Sequence, residues 1–341
     1  MFSVTKQYLH WLTLLGLAFF AWGCSSPEKV ISFSGSTMGT TYHIKALFPK
    51  AQQPNSIALQ KRVHDALELV NDQMSTYRPD SELSRFNQMD KGVMHMSDDT
   101  SFVVKEALRL HKLTHGSLDI SVGPLVNLWG FGPDQKPLHQ PSTEIIERTK
   151  AKTGLHQLVL RGHDFEKRDA DLYLDLSSIA KGFGVDKIAE LLDSVGASSY
   201  MVEIGGETKT KGMKPEQQPW RIAIEQPLDD RRDVALIIEP GDQAVATSGD
   251  YRNFYEEKGL RVSHILDPTT GYPIAHYLAS VTVLHSSCMT ADALATAMIV
   301  MGVEKALKLA NAQHFAVMLI EKKQGKFKTY YSDEFRKLIK S

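Results

Sequence analysis

Residues 171–192 read DLYLDLSSIAKGFGVDKIAELL, and their period changes partway along. Leu172, Leu174 and Leu176 fall at every second position, as in a strand, whereas from Ile179 onward apolar residues return every three or four positions, as in a helix. The stretch predicts a strand over 171–176 that runs into a helix over 179–195. Further strands are expected at 155–160, 199–204, 219–225, 233–238 and 278–284, and a long helix at 289–311. Toward the amino terminus, Val30 to Leu47 reads as strand, turn and strand. A helix follows, with Ser56 as its cap and Ile57, Val63, Leu67, Val70 and Met74 on one face. Two more helices are expected over Asp98–His115 and Ser142–Thr153, stopped by Gly116 and Gly154. Strands and helices mix without strict alternation. The fold class is therefore α+β (mixed α/β), with mixed sheets flanked by helices, and not a doubly wound parallel sheet.

Composition supports one sizeable core. The 341 residues are 42% hydrophobic and 23% charged, and 39 Lys and Arg against 40 Asp and Glu leave a net charge of −1. No global field draws this chain to nucleic acid or an acidic membrane. The first residues differ in character: Lys6 precedes an apolar run from Trp11 to Gly23, too short to span a bilayer comfortably, and AWGC leads into polar SSPEK. Residues 1–23 read as a bacterial lipoprotein signal, Cys24 as the lipidated residue, 24–33 as a tether and 34–341 as one compact domain. Trp22 and Ala21 depart from the usual residues before such a cysteine. Of the two cysteines, Cys288 would then stand alone, so no intramolecular disulfide is expected, and its apolar setting suits a buried residue better than a nucleophile.

Three constellations could carry chemistry. The helix start at Ser177, Ser178, Lys181 and Gly182 offers free N–H groups and a cation to an anion such as phosphate, although a capped helix with a solvated lysine reads the same way. In MTADALATAM, residues 289–298, Asp292 and Thr296 lie four apart and share a helix face. Two hard oxygen donors suit Mg2+ when substrate phosphates and water complete the shell; a capping Asp and a packed Thr fit the spacing equally. In VSHILDPTTGYP, His264 stands near a strand end as a candidate general base, with Asp267 as its competitor or as a turn former. Met38, Tyr77 and Trp129, in Gly-rich loops, suit a flat ligand or a core plug.

Taken together, STMGT, STYRPDSELSRFN, LDISVGPLVNLWGFGP, DLSSIAKGFGVD, EIGGE, HILDPTTG and TADALATA, in this order between Ser36 and Ala297, resemble the ApbE family of FAD:protein FMN transferases. The resemblance implies an ApbE-like fold with FAD in a cleft. It implies that Met38 and Tyr77 flank the flavin, that Ser117, Leu118 and Asp119 contact FAD, and that Leu266 contributes through its backbone. Ser177, Lys181 and Phe183 would lie along the dinucleotide. The Ala180 carbonyl would join Asp292 and Thr296 around Mg2+, with His264 as catalytic base. The implied reaction moves FMN from FAD to a Thr or Ser hydroxyl of an acceptor protein and releases AMP. Implied acceptors are subunits of ion-translocating redox complexes, met at the periplasmic face of a bacterial membrane, the inner membrane being favoured over the outer. The same residues would serve a Mg-dependent FAD pyrophosphatase or a noncatalytic FAD-binding lipoprotein.

Overall fold

The computed structural model describes residues 30–133, 139–228, 230–250, 254–257 and 260–339. The expected signal and Cys24 lie outside the described residues.

Eight strands form the frame, in an order that follows the chain: Val30–Thr37, Thr40–Leu47, Ser199–Ile204, Glu207–Lys211, Ala244–Gly249, Leu278–His285, Ala316–Lys323 and Lys326–Tyr331. Every pairing is antiparallel. This is the mixed helix-and-sheet architecture that the period changes predict. Leu278–His285 is buried along almost its whole length because both faces of the sheet are covered there. On one face Val281 and Val283 join Leu294, Ala297 and Met298 of the Cys288–Met301 helix. On the other, Leu284 packs with Met318, Ile320 and Phe335. Insertions between frame strands supply most of the remaining helices and a small sheet of Gly92–His95, Asp164–Lys167 and Leu158–Arg161, and the Asp333–Ile339 helix follows the last strand.

Several local expectations are corrected. Asn55, not Ser56, caps the Ser56–Met74 helix, its side chain accepting from the Ala58 N–H at 3.0 Å. Ile57 is 78% exposed, because Leu59, two residues on and therefore on nearly the opposite side, sets the phase of the buried face with Val63, Leu67, Val70 and Met74. The Asp98–Leu113 helix stops before His115, which with Gly116 takes positive φ. Residues 143–150 are the helical part of the segment after Ser142, which caps them. The long C-terminal helix is broken at Gly302, φ 77°, into Cys288–Met301 and Val303–Ala312. Leu155–Gln157 is a single 3-10 turn before the Leu158–Arg161 strand. Residues 171–176 are not a strand, although Leu172, Leu174 and Leu176 are fully buried as the alternation requires. Cys288 is buried, and burial pushes its thiol well above the ordinary value, as befits a packed residue.

Candidate active site

Two helices of different origin meet beneath one cavity. The Ala180–Ser194 helix begins at the end of the 171–178 segment, and the Cys288–Met301 helix is buried at eleven of its fourteen residues, so a carboxylate on it has little access to bulk water. Gly182 lets them touch: a methyl group there would stand 2.4 Å from the Cys288 carbonyl oxygen and 2.8 Å from the Asp292 Cβ. Asp186 ties them one turn further on, accepting from the Ser287 hydroxyl at 2.8 Å and the Met289 N–H at 3.0 Å. Above the contact lies a cavity of about 480 Å³. Asp292, Thr296 and Val300, each four residues apart, line it as one stripe of the helix.

Charge is concentrated where the helices meet. The Lys181 ammonium lies 3.5 Å from Asp292 Oδ1 and 3.5 Å from Glu207 Oε1. Burial alone would pull Lys181 down, but the two carboxylates outweigh it and hold the ammonium above its ordinary value. Burial raises both acids, opposed in each by Lys181. Asp292 Oδ2 accepts from the Gly182 N–H at 2.9 Å, so one of the anion-seeking amides at this helix start is already matched by a carboxylate of the chain itself. Glu207 is 3% exposed and its Oε2 has no hydrogen-bond partner among the described residues. An unmatched buried carboxylate oxygen is costly unless a cation or donor meets it. With the Thr296 hydroxyl, 3.1 Å from that of Ser248, the floor is a set of hard oxygen donors around one ammonium. That chemistry fits a small divalent cation together with a diphosphate.

The upper walls are loops tied to one another. The Ser117–Val122 turn is pinned by His111 Nδ1, 2.7 Å from the Leu118 carbonyl, and by the Asp119 carboxylate, which accepts from the Ser121 N–H at 2.8 Å. The Asp175 N–H donates to the Ile120 carbonyl at 2.7 Å, joining this turn to the segment before the Lys181 helix. Asn87 stands in for the strand neighbour that residues 171–176 lack. Its amide donates to the Leu174 carbonyl and accepts from the Leu174 N–H, both at 2.8 Å. Removing one side chain thus frees two backbone groups beside the wall, at a cost of about 1–3 kcal/mol. Asn87→Ala is expected to weaken flavin binding and lower Tm together; an unchanged dissociation constant in a fluorescence titration with FAD would show that the 175–178 wall does not depend on it.

Of the residues singled out from the sequence, Tyr77, Ser117, Leu118, Asp119, Ser177, Lys181, His264, Leu266, Asp292 and Thr296 all line the cavity. Tyr77 is 63% exposed, with its hydroxyl donating to the Phe131 carbonyl at 3.0 Å. His264, half-buried, follows the Leu260–Ser263 strand and meets the Phe131 ring edge-on at 6.2 Å. Met38 and Phe183 are not brought into the lining. Met38 packs against Gly184 beneath it, and Phe183 is a core residue beside Phe102. Ala180 opens the Lys181 helix just outside the lining. Trp129 is a core plug, 3% exposed, its indole N–H bonded to the Gly271 carbonyl at 2.9 Å. Asp267 forms the turn, its carboxylate accepting from the Thr269 N–H at 2.8 Å, and does not line the cavity.

Glu207 and the Thr247, Ser248, Gly249 strand end also line the cavity and were not singled out. A signal existed for Glu207. It closes the EIGGE turn, in which Gly205 and Gly206 take φ of 61° and 106° and so return the chain on itself between paired Ile204 and Glu207.

The ApbE family profile matches residues 38–319. The chain belongs to the ApbE family. A Vibrio cholerae protein named FAD:protein FMN transferase is 51% identical over 97% of this chain and 99% of its own length. An Escherichia coli protein of the same name is 39% identical over 97% of each. Among ApbE structures, the flavin transferase from Vibrio cholerae superposes with a TM-score of 0.86 at 51% identity, covering 92% of this chain and 100% of its own. The apo flavinyl transferase from Pseudomonas stutzeri gives 0.85 at 39% identity, covering 94% and 99%. ApbE membership thus extends over the frame sheet and both site helices.

Proposed function

We propose that this protein is an FAD:protein FMN transferase that requires Mg2+, moving the FMN half of FAD onto a Thr or Ser hydroxyl of an acceptor protein and releasing AMP. The observation that carries the reading is the convergence of Lys181, Asp292, Glu207 and Thr296 at one cavity whose other walls are the Tyr77, Ser117–Asp119 and Leu266 loops, in a chain so similar to proteins of that name.

Asp292 and Thr296, with the Ala180 carbonyl, would hold Mg2+, which when bound neutralises charge on the diphosphate. Lys181, kept protonated by its two carboxylates, orients the phosphate oxygens. The buried floor limits water, the competing nucleophile. The acceptor hydroxyl oxygen forms a new bond to the FMN-side phosphorus, the bond from that phosphorus to the AMP oxygen breaks, and AMP departs with the electron pair. His264 takes the hydroxyl proton. His264→Ala is expected to slow transfer by about 10²- to 10⁴-fold with FAD still bound, as read by single-turnover rates beside a binding titration; loss of binding in step with rate would remove His264 from the base role.

The test of the reading is incubation with FAD, Mg2+ and the isolated apoprotein of a flavin-carrying redox subunit. Flavin fluorescence that stays with the acceptor after denaturing electrophoresis, with AMP released, supports transfer. Free FMN and AMP alone would make the protein a pyrophosphatase, and intact FAD a binding protein. Export and lipidation at Cys24, placing the enzyme at the periplasmic face of a bacterial membrane, follow from the Trp11–Gly23 run and the switch to SSPEK; Cys24→Ser should move the protein from the membrane fraction, and one that stays there by another route refutes the anchor. Acceptors in ion-translocating redox complexes would meet the enzyme at that surface.

A further inference from the structure

Strands Ile222–Glu225 and Val234–Ile238 pair as a two-stranded ribbon separate from the main sheet. Its inner face, Ile222, Ile224, Leu236 and Ile238, packs in the core beneath the sheet. A ribbon with one face on a core ordinarily turns polar side chains outward. This one turns out Val234 and Ile237, 52% and 48% exposed. The register explains how. Ile224 faces Leu236 but Glu225 faces Val234, leaving Ala235 as the extra residue of a bulge. Regular alternation would set small Ala235 beside Ile237 on the outer face; the bulge sets Val234 there instead.

The location of this face gives it meaning. Ala223 and Glu225 line the cavity, and they are the cross-strand partners of Ile237 and Val234. Two large apolar side chains therefore stand one strand spacing, about 4.8 Å, from the cavity wall. FAD can enter such a cavity, whereas a folded acceptor cannot. Its hydroxyl has to be presented at the rim by a surface that packs there. A net charge of −1 offers no long-range steering, so contact has to come from local complementarity, to which apolar burial contributes.

We propose that the outer face of this ribbon is the docking surface for the acceptor protein, with Val234 and Ile237 covered by apolar side chains that flank the modified Thr or Ser. The proposal rests on the transferase reading and adds to it where the protein substrate sits.

The experiment compares Val234→Asp with Ile237→Asp and their double variant, together with a Val234→Thr, Ile237→Thr pair that keeps β propensity should the charges unsettle the ribbon. The probe is the apoprotein acceptor subunit named above. The expected result is a KM for acceptor raised about tenfold or more in the double variant, with kcat, FAD affinity and Tm near wild type. An unchanged KM overturns the proposal. So does a matching loss of FAD affinity in both pairs, which would place the effect in the cavity. Wild type that binds FAD but transfers nothing would instead fail the transferase reading itself.

Discussion

Asp292→Ala is expected to reduce FMN transfer by about a thousandfold or more, the upper end of what one preorganised electrostatic group contributes. Asp292 is asked to do three things at once: carry charge toward the proposed cation, face the Lys181 ammonium at 3.5 Å, and accept from the Gly182 N–H at 2.9 Å. The last of these is structural. Truncation to Ala leaves a buried amide unmatched and one fewer carboxylate beside Lys181, so Tm should fall as well. Asp292→Asn separates the roles, since its side-chain oxygen can still accept from Gly182 while the charge is gone. Asn is expected to recover most of the lost Tm and little of the lost turnover. AMP release measured across a magnesium titration, beside thermal unfolding, decides it. Asn turnover within tenfold of wild type would show that the negative charge at 292 is not what the reaction needs.

Gly182→Ala is expected to destabilise the protein and impair transfer together. The added carbon would lie 2.4 Å from the Cys288 carbonyl oxygen, 2.7 Å from its carbon and 2.8 Å from the Asp292 Cβ. Two of those neighbours are backbone and cannot rotate away, so the helices have to part. Overpacking of this kind costs about 1–3 kcal/mol, and here it also moves Asp292 from Lys181 and the Gly182 N–H. Gly184→Ala, two residues on, is the control. Its methyl would meet chiefly the Met38 Cε at 2.9 Å, the mobile end of a flexible side chain. The helix gains about 1 kcal/mol from Gly to Ala, so the control should be close to neutral. A Gly182→Ala protein with wild-type Tm and magnesium dependence would mean that the helices do not need to touch at this point.

The two variants mark how far the sequence could be read. Asp292 and Thr296 were legible because four-residue spacing puts side chains on one face of any helix. The helix start at Lys181 was legible because the apolar period changes there from two to between three and four. What the spacing could not show is that the Gly182 amide is taken by Asp292, 110 residues further along. Glu207 was passed over because its Gly-Gly turn predicts a reversal of the chain but not what lies beneath it. The 171–176 run shows the same boundary: its buried leucines were read correctly and its strand pairing was not, since a side-chain amide from Asn87 supplies the partner. Likewise Met38 and Phe183 stand in the right segments, but packing turned their side chains away from the lining.

By itself, then, the sequence determined the helix and strand periods, the α+β class and the shared helix face of Asp292 and Thr296, because each follows from backbone geometry over a few residues. Tertiary structure alone decided which charges face one another at 3.5 Å and which loops wall the cavity. Those contacts join residues distant in the chain, and only the packing of the two helices on the sheet sets the distances between them.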